Sequence, residues 1–303
     1  MVVAIGCALP ATGCATTAAV PDQSGPSPLT AVAAFGDFST IDYCSLLDLP
    51  RVAAGHRIGA EPDPSFESCR AEVLDGAARR TVTVGPLAFD ADPNLRPYDY
   101  AGVVPDGVDV QQSMFNDQVE CTRTVTFADG IRLNLTVADV AGTSAAAARC
   151  KEADSAVGGV FEALTGNRVG RLDFAERSWG RVAPCALLDV HDLDIPSGPE
   201  TRPTAGLSGH SCIRGKVSLR LSSGRAAESG TQEPLAGRQV HVTISGAFCI
   251  VDTAQPAPGK PGRTEKAEIS VVETTGTAGT GTCAAARAAA GSILPRLPQP
   301  GKP

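Results

Sequence analysis

Apolar residues recur at helical spacing in two places. Counting from Cys150, positions +3, +7, +10, +11 and +14 are Ala153, Val157, Val160, Phe161 and Leu164; the same offsets from Cys283 give Ala286, Ala290, Ile293, Leu294 and Leu297. Such a stripe is one face of a helix. It predicts a helix from about Ala145 to Leu164 and a second ending near Leu294, where Pro295 pushes its predecessor out of the α region. Leu46, Leu47, Leu49 and Val52 suit a short helix ending near Gly55.

Elsewhere the apolar period is two. Thr124–Phe127 and Ile131–Val137 flank Ala128-Asp129-Gly130, and alternation around Asp-Gly predicts a β-hairpin. Cys69 to Val84 reads as strand. So do the alternating sets Val217/Leu219/Leu221, Val240/Val242/Ile244 and Ile269/Val271, each half-buried. Thr253 to Arg263, rich in proline and glycine, is expected to be loop. Pro295 to Pro303 is expected to be disordered.

The pattern repeats. Cys44-Ser45-Leu46-Leu47-Asp48 returns as Cys185-Ala186-Leu187-Leu188-Asp189, and the series Cys44, Cys69, Cys121, Cys150 returns as Cys185, Cys212, Cys249, Cys283 at offsets of 128 to 143 residues. Self-similarity on this scale predicts tandem copies of one unit. The expected fold is α+β: two modules, each an antiparallel sheet with an N-terminal and a C-terminal helix. Module one is placed at residues 31–167, a connector at 168–182 and module two at 183–297, leaving 298–303 as a disordered tail. The single tryptophan, Trp179, lies in the connector and is expected to pack between the modules.

The length of 303 residues agrees with about two domains. Hydrophobic residues make up 43%, but aromatics only 4%, so each core is small and gains from covalent staples. Eight of the ten cysteines sit at repeated positions. No Cys-x-x-Cys occurs, and His56, His191, His210 and His241 do not repeat, which disfavours zinc. Disulfides are therefore expected, no metal or other cofactor is, and the compartment is oxidising and extracytoplasmic. Four cysteines per module allow three pairings. The pairing expected is first with second and third with fourth: Cys44–Cys69, Cys121–Cys150, Cys185–Cys212 and Cys249–Cys283, each contributing roughly 3–4 kcal/mol.

The net charge is −7, from 26 basic and 33 acidic residues, with no basic cluster, which argues against nucleic acid as a partner. At the N-terminus an uncharged apolar stretch runs into Ala11-Thr12-Gly13-Cys14, similar to a bacterial lipobox. Residues 1–13 are then a signal-peptide remnant, Cys14 is the lipidation site, and 14–30 is a flexible tether. Membrane association through this anchor, or else simple secretion, is the expected localisation.

Catalytic patterns are weak. Gly206-Leu207-Ser208-Gly209-His210 resembles a nucleophile elbow but ends in His where the pattern needs Gly. Asp90-x-Asp92-x-Asn94 opens like a calcium loop, but Leu95 stands where glycine is needed and Ala101 where glutamate should close it. One asymmetry remains. The second and third cysteines are 52 residues apart in module one and 37 in module two. The extra length falls in Gly85 to Glu120 and holds Tyr98, Tyr100, Met114 and Phe115 among acidic residues. Long loops with aromatics often carry function, so Tyr98, Tyr100 and Phe115 mark a possible ligand loop.

With these residues in hand, the chain resembles exported proteins of actinobacteria. The shared pattern is Cys-x-Leu-Leu opening a helix, a Cys beginning a strand, Cys-x-Arg-Thr leading a hairpin (Cys121-Thr122-Arg123-Thr124) and a Cys on a final alanine-rich helix. Cys249-Ile250-Val251-Asp252 lacks the Arg-Thr. The resemblance implies a cell-envelope protein akin to the extracellular sensor domains of receptor kinases, and carries no catalytic residue. The expected function is non-enzymatic: a membrane-tethered binding or sensor protein whose loops or inter-module cleft meet an unknown ligand or envelope protein. An envelope hydrolase with a site built from scattered residues, or a structural spacer, are the alternatives. A Ser or Asp bonded to the ring of His191, His210 or His241 in a cleft would favour the hydrolase.

Overall fold

The computed structural model describes residues 27–89, 93–113, 118–139, 141–188, 202–224, 231–272 and 283–299. The lipobox cysteine Cys14, Phe115, Asp90, Asp92 and His191 lie outside them.

Residues 69–138 supply six strands: β1 (Cys69–Asp75), β2 (Ala78–Ala88), β3 (Leu95–Pro97), β4 (Asp109–Ser113), β5 (Glu120–Thr126) and β6 (Arg132–Ala138). They pair antiparallel in the order β1-β2-β6-β5-β4-β3. Residues 211–272 supply β7 (Ser211–Arg214), β8 (Val217–Gly224), β9 (Thr231–Leu235), β10 (Arg238–Ser245), β11 (Phe248–Pro256) and β12 (Thr264–Val272). Their order is β7-β8-β12-β11-β10-β9. The second order is the first with six added to each label. Helix α1 (Ala146–Thr165) follows β6, and helix α2 (Ala284–Ile293) follows β12.

The hairpin β5–β6 forms as its turn chemistry dictates. Gly130 takes φ 79°, which suits glycine, and its amide donates to the Phe127 carbonyl at 2.8 Å. Along β6 the alternation is clean: Leu133, Leu135 and Val137 are buried against α1 while Arg132, Asn134 and Thr136 face the other way. Both helical stripes are likewise buried, Val157 and Val160 in one core and Ala286, Ala290 and Ile293 in the other.

The fold mixes helix and sheet, but sheet dominates. The N-terminal helices expected of each module are single turns. In the first, Cys44 lies on a 3-10 turn (Tyr43–Leu46), and Asp48 then caps a separate five-residue helix, Leu49–Ala53, accepting from the Arg51 amide at 3.1 Å. Ala54 ends it in the left-handed region. In the second, the helix is Pro184–Leu188. The segment read as one strand from Cys69 to Val84 is the hairpin β1–β2, turned at Gly76. β11 continues through Thr253 to Pro256, so the loop starts later than its proline content suggests. Ile244 is 56% exposed because β10 runs past the core to its hairpin tip.

Four disulfides close within the modules: Cys44–Cys69, Cys121–Cys150, Cys185–Cys212 and Cys249–Cys283, with Cα separations of 5.0 to 5.4 Å. The third-to-fourth bond fastens a central strand to the helix crossing it. Cys121 pairs in register with Val137, and Cys249 with Val271. Four such bonds belong to an oxidising, extracytoplasmic environment. No described helix is long and apolar enough to cross a membrane.

The connector is divided between two cores. Gly170 and Arg171 pair with Asp42 and Ile41 beside the first. Trp179, expected between the modules, is fully buried in the second core instead, its indole N–H donating to the Pro298 carbonyl at 3.1 Å. That bond, and burial of Leu297, pack the tail down as far as Pro298, because the apolar stripe continues past Pro295.

Candidate functional site

The modules meet through residues 63–68, the turn that leads into β1. Phe66 belongs to module one in sequence but is buried in the second core, with Phe174 and His210 rings at 5.2 and 5.0 Å. Beside it the buried Glu67 carboxylate accepts from Ser208 Oγ at 2.5 Å, Ser211 Oγ at 3.4 Å and Arg220 Nε at 2.9 Å. Arg263 pairs with Asp63 at 2.8 Å.

His210 completes this joint. Its Nε2 lies 2.8 Å from the Ser39 carbonyl, which can only accept, so Nε2 carries the proton and Nδ1 is a bare acceptor. Nδ1 is buried without a partner, and burial holds the imidazole pKa below its ordinary value. Ser208 Oγ reaches the His210 backbone amide at 3.2 Å rather than its ring. The Ser208-Gly209-His210 motif is therefore a structural turn: its serine hydroxyl and histidine ring bond to module one, and the two side chains not to each other. His241 stands opposite Asp252 in the β10–β11 register, yet its Nδ1 has no hydrogen-bond partner. Neither histidine meets the criterion for the hydrolase reading. Among the described residues no group of three His, Cys, Asp or Glu side chains is placed to hold a metal ion.

The Gly85–Glu120 segment builds something else. It starts at a bulge where the β2–β6 register shifts between Val84 and Leu87. Gly85 has φ 100°, and a Cβ there would lie 2.3 Å from the Glu67 carbonyl oxygen, so the bend needs glycine. From β2 the chain must reach β3 at the far edge of the sheet, beyond β6, β5 and β4. On the face opposite α1 lies a cavity of about 400 Å³. Seven of the twelve lining residues fall between Gly85 and Glu120: Gly85, Pro86 and Ala88 on β2, Asn94 before β3, Leu95 on β3, Ser113 on β4 and Glu120 on β5. The floor is Thr122 and Thr124 on β5 with Asn134 and Thr136 on β6, and Arg132 completes it.

Sheet register fixes this floor. Thr122 faces Thr136 and Thr124 faces Asn134 as consecutive same-face rungs, their hydroxyl and amide groups bonded across the strands at 3.0 Å. Glu120 lies one rung beyond the first and Arg132 one rung beyond the second. Burial pushes the Glu120 carboxyl pKa up. With Cys121 and Cys249 as equivalent positions, the matching rung of sheet two is Asp252–Glu268. The rung that is Thr124–Asn134 in one sheet is thus a pair of carboxylates in the other.

Of the aromatic residues that flagged this segment, Tyr98 and Tyr100 do not line the cavity. Tyr98 and Tyr100 turn toward α1. The Tyr98 hydroxyl donates to Asp154 Oδ2 at 2.8 Å, Arg123 Nε donates to Oδ1 at 2.7 Å, and the guanidinium lies 3.7 Å from the Tyr98 ring centroid. Tyr100 reaches the Asp154 carbonyl at 3.3 Å. These side chains fasten the segment to the helix. The threonines of the floor went unmarked, because an alternating polar position reads the same whether solvent or another segment covers it.

No family model, curated protein or solved structure matches the chain.

Proposed function

We propose that this chain is a non-enzymatic binding or sensor protein of the cell envelope, with two tandem copies of one disulfide-stapled module and a lipid on Cys14 holding it to the outer face of the cytoplasmic membrane. The ligand site is the cavity on the first sheet. One observation carries this reading: two sheets share a strand order, and the first has on one face a cavity of about 400 Å³ lined in part by residues between Gly85 and Glu120. That volume lies in the range of small-ligand pockets. The disulfides support the compartment, and the lipobox-like Ala11-Thr12-Gly13-Cys14 supports the tether.

Two measurements test it. Intact mass of protein recovered from native membranes should give a diacylated Cys14 at the N-terminus; an unmodified Met1 would remove the tether. Hydrogen–deuterium exchange with and without soluble envelope extract should show added protection in β5 and β6. Protection confined to other elements, or none, would count against the cavity as the binding site.

A further inference from the structure

Resting on the binding reading above, we infer that the cavity takes an uncharged, hydroxyl-rich ligand, a short saccharide. The two inner rungs of the floor consist of neutral groups that both donate and accept: Thr122, Thr124, Thr136 and Asn134. Their cross-strand bonds at 3.0 Å leave each hydroxyl with further capacity and the Asn134 amide with N–H groups to give. Pro86 and Leu95 put apolar surface on the cavity wall. Hydroxyls on one side and C–H surface on the other match the two kinds of surface on a sugar ring. Formal charge stands only at the ends of the floor: Glu120 and Arg132 are separated by three rungs of register, about 20 Å at strand rise. A polyanion would meet one cation, Arg132, at a single end of the floor and the Glu120 carboxyl at the other, and a lipid chain would leave the floor's polar groups unpaired, at a cost.

A peptide is the rival occupant, and the sheet disfavours it. Extended peptides bind sheets by adding a strand at a free edge. Strands β5 and β6 are interior, β5 between β4 and β6, and β6 between β5 and β2. Their main-chain groups are committed on both sides, so recognition at this floor passes through side-chain hydroxyls and amides.

The test uses the full oxidised chain, titrated by calorimetry with cellobiose, maltose and diacetylchitobiose, each to about 10 mM, and in parallel with triglycine. At least one disaccharide should bind, and the double variant T122V/T136V, which keeps side-chain shape and removes two hydroxyls, should weaken it about tenfold or more. The variant's unfolding midpoint, measured alongside, separates lost binding from lost fold; should it unfold, T136S, which retains the hydroxyl, should bind like the parent. Saccharide binding that T122V/T136V leaves unchanged would overturn the placement. Triglycine binding alone, sensitive to the same variant, would overturn the ligand class and leave the binding site standing. No binding by either class would overturn the ligand class, while the exchange measurement with envelope extract still decides whether the cavity is a site.

Discussion

The Glu67 carboxylate and the Arg220 guanidinium meet at 2.9 Å across the junction, one residue from each module. Arg220 is half exposed and its share is screened. Glu67 is buried, and its other partners, Ser208 and Ser211, come from the same turn of module two. Replacing Glu67 with Ala leaves buried donors without an acceptor, which costs about 1–3 kcal/mol. Urea unfolding of Glu67→Ala should separate into two transitions where the parent shows one. A single unshifted transition would mean that the joint contributes nothing to the coupling of the modules.

The same joint sets a pH dependence. His210 is packed among Phe66, Phe174 and the Ser39 carbonyl, with the Asp37 and Glu67 carboxylates acting on it electrostatically, and its folded pKa lies below 6.5. The native state keeps it neutral, so the unfolded chain binds the proton first. Stability from this group is complete above about pH 6.5. It declines as pH falls from there toward the folded pKa, by at most about 1.4 kcal/mol per unit. His210→Phe should flatten that slope, measured as unfolding midpoint against pH from about 7 to about 5. A slope equal to the parent's would place the titrating group elsewhere.

At the other end of module one, Asp139 caps the approach to α1. It accepts from Ser144 N at 2.6 Å, Thr143 Oγ at 3.1 Å and Ala141 N at 3.1 Å, and these bonds hold its pKa down to about 2. Its contribution is present above about pH 4 and lost as pH falls through about 2. Asp139→Asn should therefore destabilise by about 2 kcal/mol at neutral pH and by nearly nothing near pH 2. Chemical denaturation at the two pH values checks it.

Among the ion pairs that hold α1, two should differ in worth. Arg80 Nε lies 2.9 Å from both Glu152 oxygens, with both residues buried. Arg51 pairs with Glu162 near the other end of the helix, but both side chains are over a third exposed. Removing Glu152 leaves the buried Arg80 only the half-exposed Asp75 at 3.3 Å, so Glu152→Ala should cost about 3 kcal/mol. Glu162→Ala should cost under about 1 kcal/mol. Comparable losses would show that burial is not what separates them.

What could be read from the chain was mainly local. The turn at Asp129-Gly130 follows from the chemistry of a few adjacent residues, and the stripes from Ala153 to Leu164 and from Ala286 to Leu297 from helical geometry. The repeated cysteines pointed to two units, and there are two cores. What escaped depends on contacts distant in sequence. Nothing near Phe66 says that it will be buried among residues of the other module. Nothing near Trp179 says which core takes it. Tyr98 and Tyr100 stood out by type, but their partner Asp154 is more than fifty residues away. Thr122, Thr124 and Asn134 were legible as a polar face, while the residues that line the cavity beside them are brought there by the strand order β1-β2-β6-β5-β4-β3.

Each disulfide spans only 25 to 34 residues, and none of the four joins one module to the other. Tension applied between the ends of the chain would therefore meet unequal resistance. Within a module the covalent bonds shorten the path along which the chain can be paid out. Between modules the load falls on noncovalent contacts, those of Glu67, Phe66, His210 and the Asp63–Arg263 pair among them, and on a single run of backbone. The joint is the mechanical fuse: it would part first, with both sheets still folded, and it would close again when the pull stopped.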